Sequence, residues 1–409
     1  MRVLYLTQWF EPEPVMKGIE FAKALEGAGF DVDVMTGLPN YPHGRLYPGY
    51  RWRLFQAEQM QGIRVNRMAL YPSHDRSALR RSLNYVSFFC SALAFCLARG
   101  GRYDVIYVYH PPITVGLAAA VSGVLTRTPF VLDVQDLWPD SVTASGMAGS
   151  QGPLTRLLNA ACDFCYRRAA AIVAQSEGIG RRLIERGVSP SKLSTIYNWS
   201  PGEEEPASVI DLAPYGMEGR FNFVYAGNMG SAQALDVLVE AAGLACAIEP
   251  RIQLILIGSG TEADALAKAA SGGHAVRLEP PLPRRELKHV LAAADVLTVH
   301  LADKPLYRIT IPSKTQFYLA RGKPVLAAVN GETGAMIREL GAGVAIPAGD
   351  PRALADAMVD LARASSATRA EMGARARAGY LQRFSLEAAI AATAGVIRQA
   401  ASHAGRRRT

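Results

Sequence analysis

Short, nearly continuous apolar segments alternate with longer amphipathic segments over the first 198 residues. Uninterrupted apolar strands are typical of a parallel sheet buried on both faces, so this pattern predicts a doubly wound α/β domain. The predicted strands are Val3–Leu6, Val32–Met35, Ile63–Met68, Val105–Tyr109, Phe130–Val134 and Ile172–Ala174. The predicted helices are Val15–Glu26, Leu79–Ala98, Val115–Leu125, Leu154–Arg168 and Ile179–Arg186.

The same alternation resumes after a segment that is rich in Pro, Glu and Gly and has no periodicity. We therefore predict an N-terminal domain over 1–200, a linker over 201–219 and a C-terminal domain over 220–385. A last helix within 386–409 is expected to pack back towards the N-terminal domain. The predicted fold class is α/β, with two doubly wound, Rossmann-like domains facing a cleft. The strands of the second domain are predicted at Phe223–Tyr225, Leu254–Ile257, Val276–Leu278, Val296–Val299, Val325–Ala328 and Val344–Ile346.

The net charge of +8 is concentrated in one segment. From Arg45 to Arg81 there are eight arginines against Glu58 and Asp75, and five aromatic residues lie among them, with Tyr41 just before the segment. Arginine mixed with aromatic residues suits a membrane interface, single-stranded nucleic acid or an ordinary solvated face. The residues predicted to face an anionic membrane are Arg51, Trp52, Arg53, Arg80 and Arg81.

The longest apolar run, Val86–Ala98, is too short to span a bilayer comfortably. It is expected to form either a buried core helix or a helix lying in the membrane interface. No signal peptide is expected, because Met1 runs directly into a predicted strand. Cys162 and Cys165 lie within a predicted helix and are expected to be reduced, packed thiols.

Candidate chemistry follows the predicted strand ends, where parallel sheets bind ligands. In the first domain His110 precedes two prolines, and Asp136 opens the segment D-L-W-P-D. These residues suit substrate positioning, although a structural histidine and a helix cap remain alternatives. The loop after the first strand carries Glu11.

In the second domain, Lys314 lies in the first turn of a predicted helix, where the macrodipole disfavours a cation. A bound anion would resolve that conflict, so Ser313 and Lys314 are a candidate diphosphate site. The glycine loops Gly227–Gly230 and Gly258–Gly260 follow two other strands. Neither loop matches a dinucleotide or P-loop motif, which disfavours NAD and ATP.

The order of motifs resembles the retaining glycosyltransferases of family 4, which have the two-domain GT-B fold. It is most like the bacterial branch that transfers N-acetylated amino sugars such as N-acetyl-L-fucosamine during O-antigen, capsule or lipopolysaccharide assembly. The motifs are E-P-E-P, H-P-P, D-L-W-P-D-S, A-Q-S-E-G, Y-N-W, Y-A-G-N-M-G, I-G-S-G, A-A-A-D-V, I-P-S-K, G-K-P-V-L and N-G-E.

This resemblance implies that the second domain binds a nucleoside-diphosphate sugar, most often a UDP-sugar, as donor substrate, without a metal or other cofactor. It implies that His110, Lys314 and Asp136 are catalytic and that Glu11, Lys17 and Trp138 lie on the acceptor side. The donor-binding residues it implies are Gly227, Asn228, Gly230, Gly258, Gly260, Glu262, Pro281, Leu282, Ser313, Lys314, Glu332 and Arg308.

Two departures from the family pattern concern the donor site. Gly230-Ser231-Ala232-Gln233 stands where the family commonly has an Arg and a Lys, and Arg308 or Lys304 is the expected substitute. Ile309 and Phe317 stand where many members carry glutamates, and Glu332 and Glu262 are the expected substitutes.

The resemblance implies transfer of an amino sugar to a lipid-linked or lipopolysaccharide-core saccharide, with retention of configuration. The protein would act in the cytoplasm, peripherally associated with the inner face of the bacterial inner membrane. Three alternatives remain: a UDP-sugar epimerase or hydrolase on the same fold, a non-catalytic partner subunit, and a basic nucleic-acid-binding protein. The last is disfavoured, since no nucleic-acid-binding module is recognised and the charge is confined to one segment.

Overall fold

The computed structural model describes residues 1–73, 77–138, 152–200, 211–271 and 273–405. Asp75, Pro139, Asp140, most of the predicted linker and the basic tail lie outside these residues. The chain forms two compact units. The N-terminal unit comprises Met1–Tyr197 with Ala389–Thr409, and the C-terminal unit comprises Asn198–Ala388.

The N-terminal unit contains an eight-stranded sheet in the order β3-β4-β2-β1-β5-β6-β7-β8. All neighbouring strands are parallel except β3 and β4, which are antiparallel. The strands are β1 Arg2–Leu6, β2 Asp31–Gly37, β3 Phe55–Met60, β4 Ile63–Met68, β5 Val105–His110, β6 Phe130–Val134, β7 Ala171–Ala174 and β8 Leu193–Thr195.

The prediction of a wholly parallel first sheet is therefore wrong at the β3 edge. Gln61 and Gly62 form a two-residue turn with φ of +50° and +89°, the backbone of a tight hairpin. Strand β3 alternates exposed and half-buried residues and is polar, so it lacks the apolar run that identified the buried strands.

Helices flank this sheet, and the first begins later than predicted. The Ile19 N–H donates to the Glu11 carboxylate at 2.8 Å, and a Cβ on Gly18 would meet the same carboxylate at 1.9 Å. Glu11 therefore fixes where α1 starts. The helices are α1 Ile19–Gly27, α2 Ala78–Arg99, α3 Ile113–Thr126, α4 Pro153–Arg168 and α5 Glu177–Glu185.

The C-terminal unit contains a parallel sheet in the order β11-β10-β9-β12-β13-β14. Its six strands were all predicted. The strands are β9 Phe221–Ala226, β10 Ile252–Ile257, β11 Val276–Glu279, β12 Val296–His300, β13 Val325–Ala328 and β14 Gly343–Ile346. The helices are α6 Leu235–Ile248, α7 Ala263–Ala270, α8 Arg284–Ala293, α9 Pro305–Arg308, α10 Ser313–Ala320, α11 Glu332–Leu340, α12 Pro351–Arg363 and α13 Ser366–Arg383.

The direction of strand progression reverses in the middle of this sheet. The chain proceeds outwards from β9 through β10 to β11, and then returns to place β12 against the other side of β9. The carboxyl ends of β9 and β12 are therefore the topological switch point of this sheet, the place where doubly wound folds bind ligands.

The last helix, α14 Leu386–Gly405, belongs to the N-terminal unit from Ala389 onwards. Arg398 donates to the Ala28 carbonyl at 3.0 Å, and its guanidinium lies 5.1 Å from the centroid of the Phe30 ring. Ile397 is fully buried. The C-terminal end of the chain thus completes the core of the unit that begins at Met1.

Candidate active site

Lys314, the second residue of α10, points its ammonium back over the end of β9. Its Nζ donates a hydrogen bond to Tyr225 Oη and lies 3.7 Å from the centroid of the Tyr225 ring. Burial lowers the pKa of Lys314 to about 7. Among the described residues no carboxylate forms an ion pair with this amine. A partly desolvated cation held in this way favours an anionic ligand.

Two tyrosines fix α10 against the carboxyl end of β9. Tyr318 Oη accepts from the Ala226 N–H at 2.8 Å and donates to the Ala226 carbonyl at 3.2 Å. Tyr225 Oη donates to the Asn228 carbonyl at 2.6 Å. Both rings are buried, so the position of Lys314 is set by the core and not by solvent. The contacts of Tyr318 with Ala226 and of Lys314 with Tyr225 have no local signal in the sequence, since each joins segments far apart in the chain.

The predicted glycine loops pack against each other backbone to backbone. A Cβ on Gly258 would lie 2.0 Å from the Gly227 carbonyl oxygen, and Gly258 has a φ of +148°. A Cβ on Gly260 would lie 2.3 Å from the Met229 carbonyl oxygen. Glycine is therefore required here for close packing of the loops that follow β9 and β10.

Several N–H groups expected to bind phosphate already have partners. Gly227 N–H donates to the Ile257 carbonyl at 2.9 Å, and Met229 N–H donates to the Ser259 carbonyl at 2.8 Å. Gly230 N–H donates at 3.2 Å to Oε1 of the Gln233 side chain, which also accepts from Asn228 Nδ2 at 3.0 Å. Of these groups, only the Gly230 N–H and the Asn228 amide are held by a side chain that a ligand could displace.

Four helices that begin at this edge follow four adjacent strands, β10, β9, β12 and β13. These helices are α7, α6, α10 and α11, and none has a side-chain hydrogen bond from its N-cap residue. By contrast, Asp350 caps α12 and Ser365 caps α13. The four starts place N–H groups and positive dipole ends along the edge of the sheet to which Lys314 belongs.

Arg308, one expected substitute for the missing lysine, is held by a carboxylate. Its guanidinium donates two hydrogen bonds of 2.7 Å to Asp303. Hydrogen bonds from Arg308 and then Asn330 lower the pKa of Asp303 to about 2. A Cβ on Gly331 would lie 2.0 Å from the Arg308 carbonyl oxygen, so this loop packs directly on the start of α11. Arg308 is exposed and is already paired with Asp303.

The remaining predicted donor residues line the same edge at different depths. Ser313 is exposed at the first position of α10, and Glu332 is half-buried at the first position of α11. Glu262 is the N-cap residue of α7. Pro281 and Leu282 follow β11, which is the outermost strand on that side.

His300, at the end of β12, is a candidate that the sequence reasoning missed. Its Nδ1 donates to the Gln233 carbonyl at 2.7 Å, while its buried Nε2 has no hydrogen-bond partner among the described residues. Burial lowers the pKa of His300, so the ring is neutral and Nε2 is an acceptor. A histidine at a strand end was the signal that identified His110, and it applies equally here.

In the N-terminal unit, His110 is the last residue of β5 and is fully buried. Neither ring nitrogen has a hydrogen-bond partner among the described residues. Burial lowers the pKa of His110 to about 3, so the ring is neutral near pH 7. One nitrogen can therefore donate and the other accept a hydrogen bond from a bound sugar.

Aromatic rings continue from His110 across this end of the N-terminal unit. The His110 and Trp138 centroids are 6.3 Å apart, and Tyr85 lies 6.2 Å from Trp138. Trp9 lies 6.5 Å from Tyr85 and 5.3 Å from Tyr41. Such a row can pack against the apolar faces of saccharide rings.

The other residues predicted for this unit are placed differently. Asp136 is exposed after β6. Glu11 caps α1 as described, and Lys17 lies in the interior. The Lys17 ammonium is bonded to buried Asp133, whose Oδ2 also accepts from Tyr107 Oη at 2.6 Å. Lys17 and Glu11 thus have evident structural roles, and an acceptor role for them stays a prediction.

The residues predicted to face a membrane are mostly on the surface. Arg51, Trp52, Arg53 and Arg80 are exposed, and Arg81 is half-buried.

Comparison with known proteins identifies both halves of the chain. Residues 20–199 match the family described as "Glycosyl transferase 4-like domain", and residues 220–364 match "Glycosyl transferases group 1". The chain is 28% identical to "Probable glycosyltransferase WbjE" of Pseudomonas aeruginosa over 268 residues, which are 63% of this chain and 66% of that protein. It is 26% identical to WcaI of Escherichia coli K12, named for colanic acid biosynthesis, over 54% of this chain and 57% of WcaI.

These matches span slightly less than two thirds of WbjE and a smaller share of WcaI. Over its full length the fold is similar to the crystal structure of Anabaena HepE in complex with UDP. The TM-score is 0.70 at 16% identity, covering 97% of this chain and 100% of HepE. The two doubly wound units and the full-length structural similarity confirm the predicted GT-B fold, and each half of the chain carries a glycosyltransferase family domain.

Proposed function

We propose that this glycosyltransferase uses a UDP-sugar donor, bound by the C-terminal unit at the carboxyl edge of its sheet. The observation that carries the proposal is Lys314, a partly desolvated cation among four uncapped helix starts. A diphosphate would pair with that cation and with the helix N-termini. The complex of HepE with UDP, on a similar fold, supports this choice of nucleotide.

The chemistry follows from the charge of the leaving group. As the glycosidic bond to the diphosphate breaks, negative charge grows on the phosphate, and a preorganised ammonium stabilises it more than the ground state. We propose that the helix starts and Lys314 supply this stabilisation without a metal. The acceptor hydroxyl would lose its proton to the departing phosphate, and the sugar would be transferred with retention of configuration.

We further propose that the acceptor is a lipid-linked or lipopolysaccharide-core saccharide and the donor an N-acetylated amino sugar. The order of motifs and the name of WcaI support a role in surface polysaccharide synthesis. The aromatic row near His110 suits saccharide rings. Such an acceptor would place the enzyme at the cytoplasmic face of the inner membrane.

A thermal-shift panel of UDP, GDP, dTDP and UDP-amino sugars tests the donor assignment. UDP should raise the melting temperature of the wild type, and the Lys314→Ala variant should lose most of that shift. Lys268→Ala is the matched control, because Lys268 is an exposed lysine of the same unit away from α10. Stabilisation by GDP and not by UDP would overturn the choice of nucleotide.

The alternative enzyme activities are separated by a second measurement. If the protein turns over a UDP-sugar stoichiometrically in the absence of any acceptor, the epimerase or hydrolase alternative is favoured. Full transferase activity of Lys314→Ala would remove Lys314 from the mechanism. EDTA should leave both UDP binding and transfer unchanged.

A further inference from the structure

Helix α2 presents an apolar face to solvent. Among the described residues it is the helix whose length and composition would suit a membrane span: an 18-residue window within Leu79–Arg102 has a mean hydropathy of 1.3, and only 33% of that window is buried. A core helix of a soluble domain is mostly buried, so the exposure of α2 needs another explanation.

The inner face of α2 is fixed to the N-terminal unit. Asn84 Nδ2 donates to the Tyr71 carbonyl at 2.7 Å, and Ser91 Oγ donates to the Ala69 carbonyl at 2.6 Å. Phe88 is fully buried. These contacts hold the helix along the surface of the unit, so it is placed to lie on a bilayer and not to cross one.

The outer face carries an apolar stripe. Its members recur at intervals of three and four residues, which on an α-helix keeps them within an arc of about 80°. The exposed fractions of Leu79, Leu83, Val86 and Leu97 are 71%, 46%, 53% and 41%. We define the α2 stripe as Leu79, Leu83, Val86, Cys90, Ala94 and Leu97.

A second exposed apolar segment adjoins the C-terminal half of α2. Trp52 and Leu54 are 59% and 71% exposed. The Ala69 N–H donates a hydrogen bond to the Leu54 carbonyl, and the Ala69 carbonyl accepts one from Ser91 of α2. Ala69 therefore links Leu54 to this half of the helix. The Arg99 guanidinium lies 5.4 Å from the centroid of the Phe55 ring and ties the start of β3 to the end of α2.

The charge around this apolar surface is positive. Arg51 and Arg53 flank Trp52 and are exposed, and Arg80 is exposed beside Leu79. The one carboxylate among the described residues of 45–73, Glu58, is bonded to buried Arg67. Basic residues beside exposed aromatic and aliphatic residues suit anionic lipid headgroups above an apolar layer.

We propose that the α2 stripe, with Trp52, Leu54 and the flanking arginines, docks the enzyme flat on an anionic bilayer. The stripe extends about 27 Å along the surface, at 1.5 Å per residue, and inserts its side chains below the headgroups. A second copy of this chain is a less favourable partner for the α2 stripe, because a symmetric dimer would place the arginines of one copy against the arginines of the other. This inference deepens the proposed function and rests on its membrane-bound acceptor.

Flotation with vesicles tests the docking surface. The wild type should float with vesicles of phosphatidylcholine and phosphatidylglycerol at low salt, and much less with phosphatidylcholine alone. The Arg51→Ala/Arg53→Ala variant should bind about twenty-fivefold more weakly, at about fivefold per arginine. The Leu83→Glu/Val86→Glu variant should lose flotation, whereas Leu381→Glu, at an exposed leucine of the C-terminal unit, should not.

Cys90 offers an independent measurement, since it is exposed within the stripe. An environment-sensitive fluorophore on Cys90, in a Cys246→Ser background, should shift to the blue when anionic vesicles are added. The same label on Cys246, in a Cys90→Ser background, should not shift.

Three outcomes would overturn the proposal. They are absence of wild-type flotation at low salt, no blue shift at Cys90, and a wild-type dimer that the Leu83→Glu/Val86→Glu variant dissociates. The thermal shift by UDP should persist in that variant. Vesicle binding without any UDP shift in the wild type would instead count against the proposed donor site alone.

Discussion

The position of Lys314 predicts that UDP affinity falls as the pH rises above neutrality. Burial lowers the pKa of this amine to about 7, so the ligand-free protein loses the ammonium at a pH where an ordinary lysine stays charged. A bound diphosphate stabilises the ammonium, so binding above pH 7 requires uptake of a proton.

The magnitude follows from the charged fraction. With a pKa of about 7, half of the lysine is charged at pH 7 and about one tenth at pH 8. If only the ammonium form binds UDP, the dissociation constant should rise about fivefold between pH 7 and pH 8 and about fiftyfold between pH 7 and pH 9. UDP itself adds little to this trend, because the second ionisation of a phosphate, near pH 6, is nearly complete above pH 7.

Isothermal titration calorimetry at pH 7, 8 and 9, in two buffers with different ionisation enthalpies, measures the affinity and the proton uptake together. Uptake should increase from about half a proton at pH 7 to about nine tenths at pH 8. The Lys314→Arg variant is the control, since a guanidinium stays charged throughout this range. Its affinity should be nearly independent of pH.

The same shift has an opposite effect on the ligand-free protein. The unfolded chain keeps the lysine proton up to its ordinary pKa, whereas the folded protein loses it near pH 7. Stability should therefore rise between pH 7 and pH 10, by up to about 1.4 kcal/mol per pH unit relative to Lys314→Met. A wild-type dissociation constant that is flat from pH 7 to pH 9, without proton uptake, would refute the reasoning.

Three further variants test particular contacts. Gln233→Ala frees the Gly230 N–H and should tighten UDP binding up to about tenfold in calorimetry, since a neutral hydrogen bond contributes about 0.5–1.5 kcal/mol. Lys17→Met leaves the Asp133 carboxylate buried without its counter-charge and should lower the free energy of unfolding in urea by about 3–5 kcal/mol. Gly258→Ala should lower it by about 2 kcal/mol or more, because its Cβ would lie 2.0 Å from a carbonyl oxygen.

The two stability variants have matched controls. Gly243→Ala, inside α6 with nothing within 4 Å of the added Cβ, should be neutral or slightly stabilising. Lys23→Met, at a lysine whose side chain is 40% exposed, should leave the unfolding midpoint nearly unchanged. Weaker UDP binding by Gln233→Ala would mean that Gln233 itself contacts the nucleotide. An unaltered Lys17→Met protein would contradict the assignment of a buried ion pair.

The fold was predictable because buried parallel strands have an unambiguous apolar signature. Val325–Ala328 and Leu254–Ile257 are runs of this kind, and both form strands. Strand β3 has no such run, since it lies at a sheet edge with one face in solvent, and its hairpin depends on the turn at Gln61 and Gly62.

The candidate site was predictable in part. Lys314 could be identified because its conflict with a helix start is local, but its contact with Tyr225 joins distant segments. Lys17, by contrast, could not be assigned from the sequence. A lysine is ordinarily expected at the protein surface, and only the tertiary structure reveals that Lys17 is buried and that its charge is balanced by buried Asp133.

Helix α14 has a consequence for the order in which the protein is made. The N-terminal unit lacks this helix until the residues after Ala388 are synthesised, and the whole C-terminal unit precedes them. The surface around Phe30 that Arg398 covers therefore stays open on the ribosome while another domain is translated and folds. The unit that starts first can be completed only after the second unit has been synthesised.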